Sequence, residues 1–364
     1  MTQHQTPRPR RPQRFILSAI SARSALIVTA LATFGCRAAA PPPASARLVE
    51  RSHVAMGTEI RLSAWTADGS AAEAAFNAAF GEFDRLEALM TTWRPSSDIV
   101  HLNEAAGEHP VPVSPEVREV LTIARQVSEW TDGMFDVTFA AFSDVWKFDQ
   151  QDKDDSIPTR DQIRARLPLV NYRDLVVDDT AGTAWLKRKG MKVGLGGIGK
   201  GYAVDRAAAI LRARGFNDFM IQAGGDLYVS GLRDGKPWRL GIRDPRGPVD
   251  RIFAAIDLSN GTFSTSGDYE RYFISNGRRY HHIIDLRTGE PATASRSVTL
   301  VTDRAVIADA LAKGVFVLGP EQGMALLRRV PHVEGVIVSA SNQVTASPGL
   351  KDRLVLLQPP TDGL

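Results

Sequence analysis

The chain has 364 residues, 43% of them hydrophobic and 23% charged, enough to bury a substantial core in one large domain or two. Its formal net charge is +3, but five arginines (Arg8, Arg10, Arg11, Arg14, Arg23) and no acid fall in the first 36 residues, so the remainder carries 39 basic against 41 acidic side chains. That balance offers nucleic acid no overall positive charge to select, and a lone cysteine, Cys36, excludes an intramolecular disulfide.

The arginine-rich start runs into SALIVTALATFGC, an apolar stretch too short to span a bilayer and suited to a signal-peptide core. Residues 1–36 are therefore read as an export signal and 37–48, with PPPASA, as an extended linker. Cys36, directly after the apolar run, is the expected lipid acceptor, which predicts a periplasmic protein anchored to the membrane. Cleavage after Ala46 in ASA, discarding Cys36, is the alternative.

From Val49 the body begins with a strand expected around HVAMGTEIRLSAW, alternating after a Gly turn. A helix follows over AAEAAFNAAFGEFDRLEALM, where Phe76, Phe80, Phe83 and Leu86 recur on one face as a core stripe. WRPSSDIVHLNEAAG reads as a loop and a short helix, and SPEVREVLTIARQVSEWTDG as an amphipathic helix opened by Ser114 and Pro115. DQQDKDDSIPTRDQIRARL is polar, an exposed loop entering another helix, and its acids read as a solvated face.

MKVGLGGIGKGYAVDRAAAILRARG joins a short apolar run, read as a strand, to a helix through a glycine cluster. Gly194, Gly199 and Lys200 fit the spacing of a triphosphate loop, but Gly201 stands where that loop needs a Ser or Thr hydroxyl for Mg²⁺. The glycines either cradle phosphate in another way or let the chain turn tightly onto a helix.

Beyond it, FNDFMIQAGGDLYVSG, WRLGIRDP and IFAAIDLSNGTFSTSG read as strands, and Asn276-Gly277 as a hairpin turn. AVIADALAKGVFVLG and PEQGMALLRRV read as successive helices and EGVIVSA as a strand. Strands in runs and helices in runs argue for an α+β fold. Three polar groups could carry chemistry: Asp226 after two glycines, the hydroxyls of Ser264, Thr265 and Ser266 beside Gly267, and the adjacent His281 and His282, which face opposite ways on a strand. For each of them a structural role is the simpler reading, a turn for the first two and a core histidine for the third.

In order, MGT, TWRPSSDIVHLN, DGMFDVTFAAFSDVWKF, GGIGKGYAVD, AGGD, TSGDYERYF, HHIIDLRTGEP and SVTLVTDRAVIADALAKGVFVLG resemble the ApbE family, the bacterial FAD:protein FMN transferases. The resemblance covers about Val54 to Gly319 and turns the glycine stretch into a flavin-diphosphate loop. It implies an ApbE-like, T-fold-like α+β architecture over 49–358, of mixed, mostly antiparallel sheets with packed helices. It also implies transfer of FMN from FAD to a Thr or Ser hydroxyl of an acceptor flavoprotein, a subunit of a membrane redox complex, with release of AMP. Two other outcomes stay open: hydrolysis of FAD by water, and a non-catalytic FAD-binding maturation scaffold.

Carried onto this chain, the resemblance places Met56, Trp93, Met134, Phe135, Asp136, Lys200 and Ile284 around FAD and makes His282 the base. It implies Mg²⁺ at Asp309 and a carbonyl near Gly197, completed by a Thr one helical turn on. Two positions depart from it. Gly194 replaces an Asp, and Lys313 replaces the Thr; a protonated lysine ligates nothing and opposes a dication. Lys313 is expected to pair with Asp309 and stand in for the metal, or else to turn outward.

Overall fold

The computed structural model describes residues 45–148 and 155–363. The export segment, Cys36 and residues 37–44 of the linker lie outside them. Among the described residues no helix is long and apolar enough to cross a membrane.

An eight-stranded sheet organises the chain, in the order Arg47–Ala55, Thr58–Thr66, Phe219–Ala223, Asp226–Ser230, Asn260–Gly267, Ser295–Thr302, Glu334–Ser339 and Val344–Ala346. Every pairing in it is antiparallel, where the resemblance implies mixed, mostly antiparallel sheets. The single strand expected around Met56 is a hairpin. Met56 and Gly57 take φ of 50° and 70°, the two left-handed residues of a tight two-residue turn, and fold the stretch back so that Ala55 pairs with Thr58. The first strand starts at Arg47, two residues inside the stretch read as linker.

Six helices accompany the sheet among the described residues: α1 (Gly69–Met90), α2 (Asp98–Glu104), α3 (Pro115–Trp130), α4 (Arg160–Arg166), α5 (Gly199–Ala213) and α6 (Ala305–Leu327). The α1 stripe is buried as its spacing demands, with Phe76, Phe83 and Leu86 fully enclosed. Ser114 caps α3, its Oγ accepting from the Val117 N–H. α6 breaks at Gly319 (φ 75°) before Pro320, which has no N–H to continue the ladder, so the two expected helices are present as one kinked element.

Strand periodicity divides the core. Val298, Leu300 and Ile337 point to the helices, while Phe263, Val301, Val336 and Val338 point to the opposite face. That second face is covered by a three-stranded sheet of Trp238–Arg243, Ile252–Leu258 and Leu354–Leu356. A third apolar cluster, with Phe142, Trp146, Ile163, Phe273 and Ile284, lies among α4 and the hairpin around Asn276-Gly277.

The run MKVGL is not a strand. Met191, Val193 and Leu195 are buried, but the backbone of Val193 pairs with a side chain: Asn103 Nδ2 donates to its carbonyl at 3.0 Å and Asn103 Oδ1 accepts its N–H at 2.7 Å. A side-chain amide thus satisfies the segment where a neighbouring strand would otherwise be needed.

Candidate functional site

The glycine loop delivers the chain onto α5, and α5 lies against the start of α6. Gly201 is the point of closest approach: a Cβ there would sit 2.3 Å from the Ala305 carbonyl oxygen and 2.8 Å from Asp309 Cβ. This is why no Ser or Thr occupies the position, and it removes the triphosphate-loop reading on steric grounds. Asp205, one turn further, caps α6 from outside, its carboxylate accepting from the Ala305 N–H at 2.8 Å and the Val306 N–H at 3.0 Å. Burial pushes the Asp205 carboxyl up to about 6.

This helix pair fixes a buried charge cluster. Lys200 Nζ lies 3.3 Å from Asp226 Oδ2 and 3.7 Å from Asp309 Oδ2, and donates to the Gly196 carbonyl at 3.3 Å. Asp309 is fully buried, and its Oδ2 accepts from the Gly201 N–H at 3.0 Å. Lys313, one turn along α6, turns inward and donates to the Asp309 carbonyl at 2.7 Å and to Asp309 Oδ1. Asp226 also accepts from the Ser264 hydroxyl across the paired strands. Asp226 is thus a partner of Lys200 and more than a turn former.

The charges sort themselves by these contacts. Burial alone would raise Asp309, yet Lys200, Lys313 and the Gly201 N–H outweigh it and hold the carboxyl below its usual range. Asp226 is raised, first by burial and then by the Asp309 charge beside it. For Lys200 burial works against the ammonium, but Asp309 and Asp226 raise its pKa above the ordinary lysine value.

The two histidines separate, His281 ending the strand Arg278–His281 and His282 lying just past it. His281 is a core residue: Nε2 is 2.8 Å from the Ala292 carbonyl, Nδ1 accepts from the Ile283 N–H, and the ring packs edge-on against Phe316. His282 keeps a buried Nδ1 with no hydrogen-bond partner. Burial, then the charges of His281, Lys313 and Arg271, push its pKa down to about 3. It is a neutral imidazole with an uncommitted nitrogen, under the charges of Lys313 and Arg271.

Other expected residues fall around this centre to different degrees. A Cβ on Gly197 would lie 3.5 Å from the Phe135 ring and 3.8 Å from Lys313 Cε, so Phe135, the glycine loop and Lys313 meet. Met134 and Met56 pack on the main core. Asp136 is not free for a ligand: one oxygen accepts from the Thr138 N–H and hydroxyl and the other from the Tyr172 N–H at 2.6 Å, holding the turn. Trp93 is 84% exposed between α1 and α2. Ile284 belongs to the third apolar cluster, since its strand neighbour Ile283 takes the main-core side. Gly194 packs its backbone against Ala140, where a Cβ would come within 3.0 Å of the alanine methyl.

Two residues escaped the sequence reading. Asp205 carried the signal of an acid following the glycine loop by one turn of helix. Arg271 sits within 3.6 Å of where a Gly57 Cβ would be and bears electrostatically on both Lys200 and His282. Only its place in TSGDYERYF pointed to it.

The sequence pattern of the ApbE family matches residues 56–337. An FAD:protein FMN transferase of Klebsiella pneumoniae (strain 342) is 31% identical over 302 residues, spanning 83% of this chain and 92% of that protein. The crystal structure of the ApbE protein of Thermotoga maritima superimposes with a TM-score of 0.78 at 30% identity, over 84% of this chain and 99% of that one. The flavin transferase ApbE of Vibrio cholerae follows at 0.76 and 27%, over 85% and 99%. With the matched pattern running through the glycine loop, both histidines and the start of α6, the chain belongs to the ApbE family.

Proposed function

We infer that this chain is an FAD:protein FMN transferase, moving FMN from FAD to a Thr or Ser hydroxyl of an acceptor flavoprotein and releasing AMP. The observation that carries this reading is a His282 whose buried Nδ1 has no partner and which feels the charge of Lys313, itself bound to Asp309 at the glycine loop. The acceptor oxygen attacks the FMN phosphorus, the bond from that phosphorus to the bridging oxygen breaks, and the electron pair leaves with AMP. His282 takes the hydroxyl proton. Lys200, the loop N–H groups and the α5 N-terminus face the diphosphate. Phe135 and Met56 border the flavin, with Trp93 free to stack from outside.

The Mg²⁺ that the sequence resemblance implies does not fit the donors present, because Lys313 already holds two Asp309 oxygens. Among the described residues no group of three or more His, Cys, Asp or Glu could hold a metal ion. No step is therefore routed through a metal. The leader supports export and lipidation at Cys36, and the family resemblance supports an acceptor subunit in a membrane redox complex.

The test is incubation with FAD and an acceptor domain bearing a flavinylation site, read as flavin fluorescence on the acceptor in a denaturing gel. Labelling that disappears in His282→Ala is the expected result. FMN and AMP formed without labelling would favour the hydrolase, and FAD binding with no turnover would favour the scaffold.

A further inference from the structure

A divalent cation at the α5–α6 junction would need hard oxygen donors, and Asp309 supplies the obvious ones, its carboxylate and its own carbonyl. Each is already engaged by an N–H donor. Lys313 Nζ bonds the carbonyl at 2.7 Å and Oδ1, and the Gly201 N–H bonds Oδ2 at 3.0 Å. The lysine stem runs beside Gly197, where a Cβ would be 3.8 Å from Cε, so the ammonium stands between the glycine loop and α6. Its side chain is 19% exposed, and a charge so withdrawn from water is screened little.

We propose that Lys313 is a built-in cation in the place of a divalent ion, so that this chain binds FAD and cleaves its diphosphate without Mg²⁺. The ligand's identity rests on the transferase reading, whereas the displacement of the ion does not. The ammonium is fixed by two acceptors on its own helix and therefore needs no reorganisation when the diphosphate arrives. In the transfer step, Lys200 and Lys313 each set one positive charge against the oxygens that gain negative charge as AMP leaves, and the proton balance with His282 is unchanged.

The experiment compares FAD affinity, followed by flavin fluorescence quenching, in EDTA and in Mg²⁺, with Mn²⁺ binding read separately by electron paramagnetic resonance. For the unaltered chain, FAD affinity and labelling rate should differ by less than about twofold between the two buffers, and Mn²⁺ should stay free. Lys313→Thr puts a hydroxyl one turn from Asp309 and should bind Mn²⁺, losing about tenfold in FAD affinity in EDTA and regaining it in Mg²⁺. Lys313→Met, close in length but uncharged, should lose the same affinity with no rescue. Melting curves confirm that both variants fold, and the unaltered chain needs no variant to decide the matter. Stoichiometric Mn²⁺ binding by the unaltered chain, or a tenfold fall in its FAD affinity in EDTA, overturns the proposal. No labelling in either buffer with FAD still bound counts against the transferase reading alone, and no FAD binding in either overturns both.

Discussion

His282 differs from an ordinary histidine in one measurable way: its pKa is pushed to about 3, from 6.5, by burial and by the cations around it. The unfolded chain therefore takes up a proton that the folded chain refuses, and this group's contribution to stability, full above about 6.5, is lost as pH falls toward 3. For catalysis the shift cuts both ways: the imidazole is free of its proton at every pH from about 4 upward, but it is a weaker proton acceptor than a base whose pKa lies near the working pH. The log of kcat/KM for labelling should show no inflection between pH 5 and 8 from this group, and a break near 6.5 would place the imidazole in a more open setting. His282→Ala should cut labelling at least about a hundredfold while FAD affinity changes less than threefold, measured by gel fluorescence and quenching. Sequence order singled out His282 over His281 only through resemblance, because alternation separates two faces without saying which one is core. The inward turn of Lys313 was likewise one of two expectations, and it is settled by the acceptors at Asp309.

At the scale of elements, the α5–α6 contact decides what the glycine loop can be. Gly201→Ser, the change that completes a triphosphate-loop spacing, forces a Cβ onto backbone at 2.3 Å and should destabilise the chain by about 3 kcal/mol or more, seen as a lower urea midpoint and weaker FAD binding. Removing the outside cap with Asp205→Ala leaves two α6 N–H groups unpaired and should cost about 2 kcal/mol in the same assay. The helices themselves were legible, because their apolar stripes and Ser114 cap are local signals. The MKVGL segment was not, since the amide of Asn103 that replaces a strand partner lies 90 residues away. At Gly57 the turn was legible but the hairpin it closes was not: the pair is neither Asn-Gly nor Asp-Gly, and Met56 accepts a left-handed φ that its type rarely adopts.

On the scale of the whole molecule, the chain's end is part of the fold. The buried Asp244 carboxylate accepts from the Thr361 N–H and hydroxyl, and the largely buried Arg296 reaches the Thr361 carbonyl and Asp362. Deleting residues 359–364 should lower stability by about 2 kcal/mol, or roughly 4–8 °C in Tm, with FAD affinity unchanged, as calorimetry and quenching would report. The α+β class followed from the runs of strands and of helices and the mostly antiparallel sheets from the resemblance, but the order of eight strands followed from neither, being set by pairings far apart in sequence. That order leaves two rims. One is the strand Arg47–Ala55, studded with Arg47, Glu50, Arg51 and His53, and the other is Val344–Ala346, only three residues long. Charge blunts the first and brevity the second, so neither lends itself to a visiting strand. A strand of a partner protein therefore finds no ready main-chain ladder at either rim of this sheet, and a partner that docks there is left to side-chain contacts.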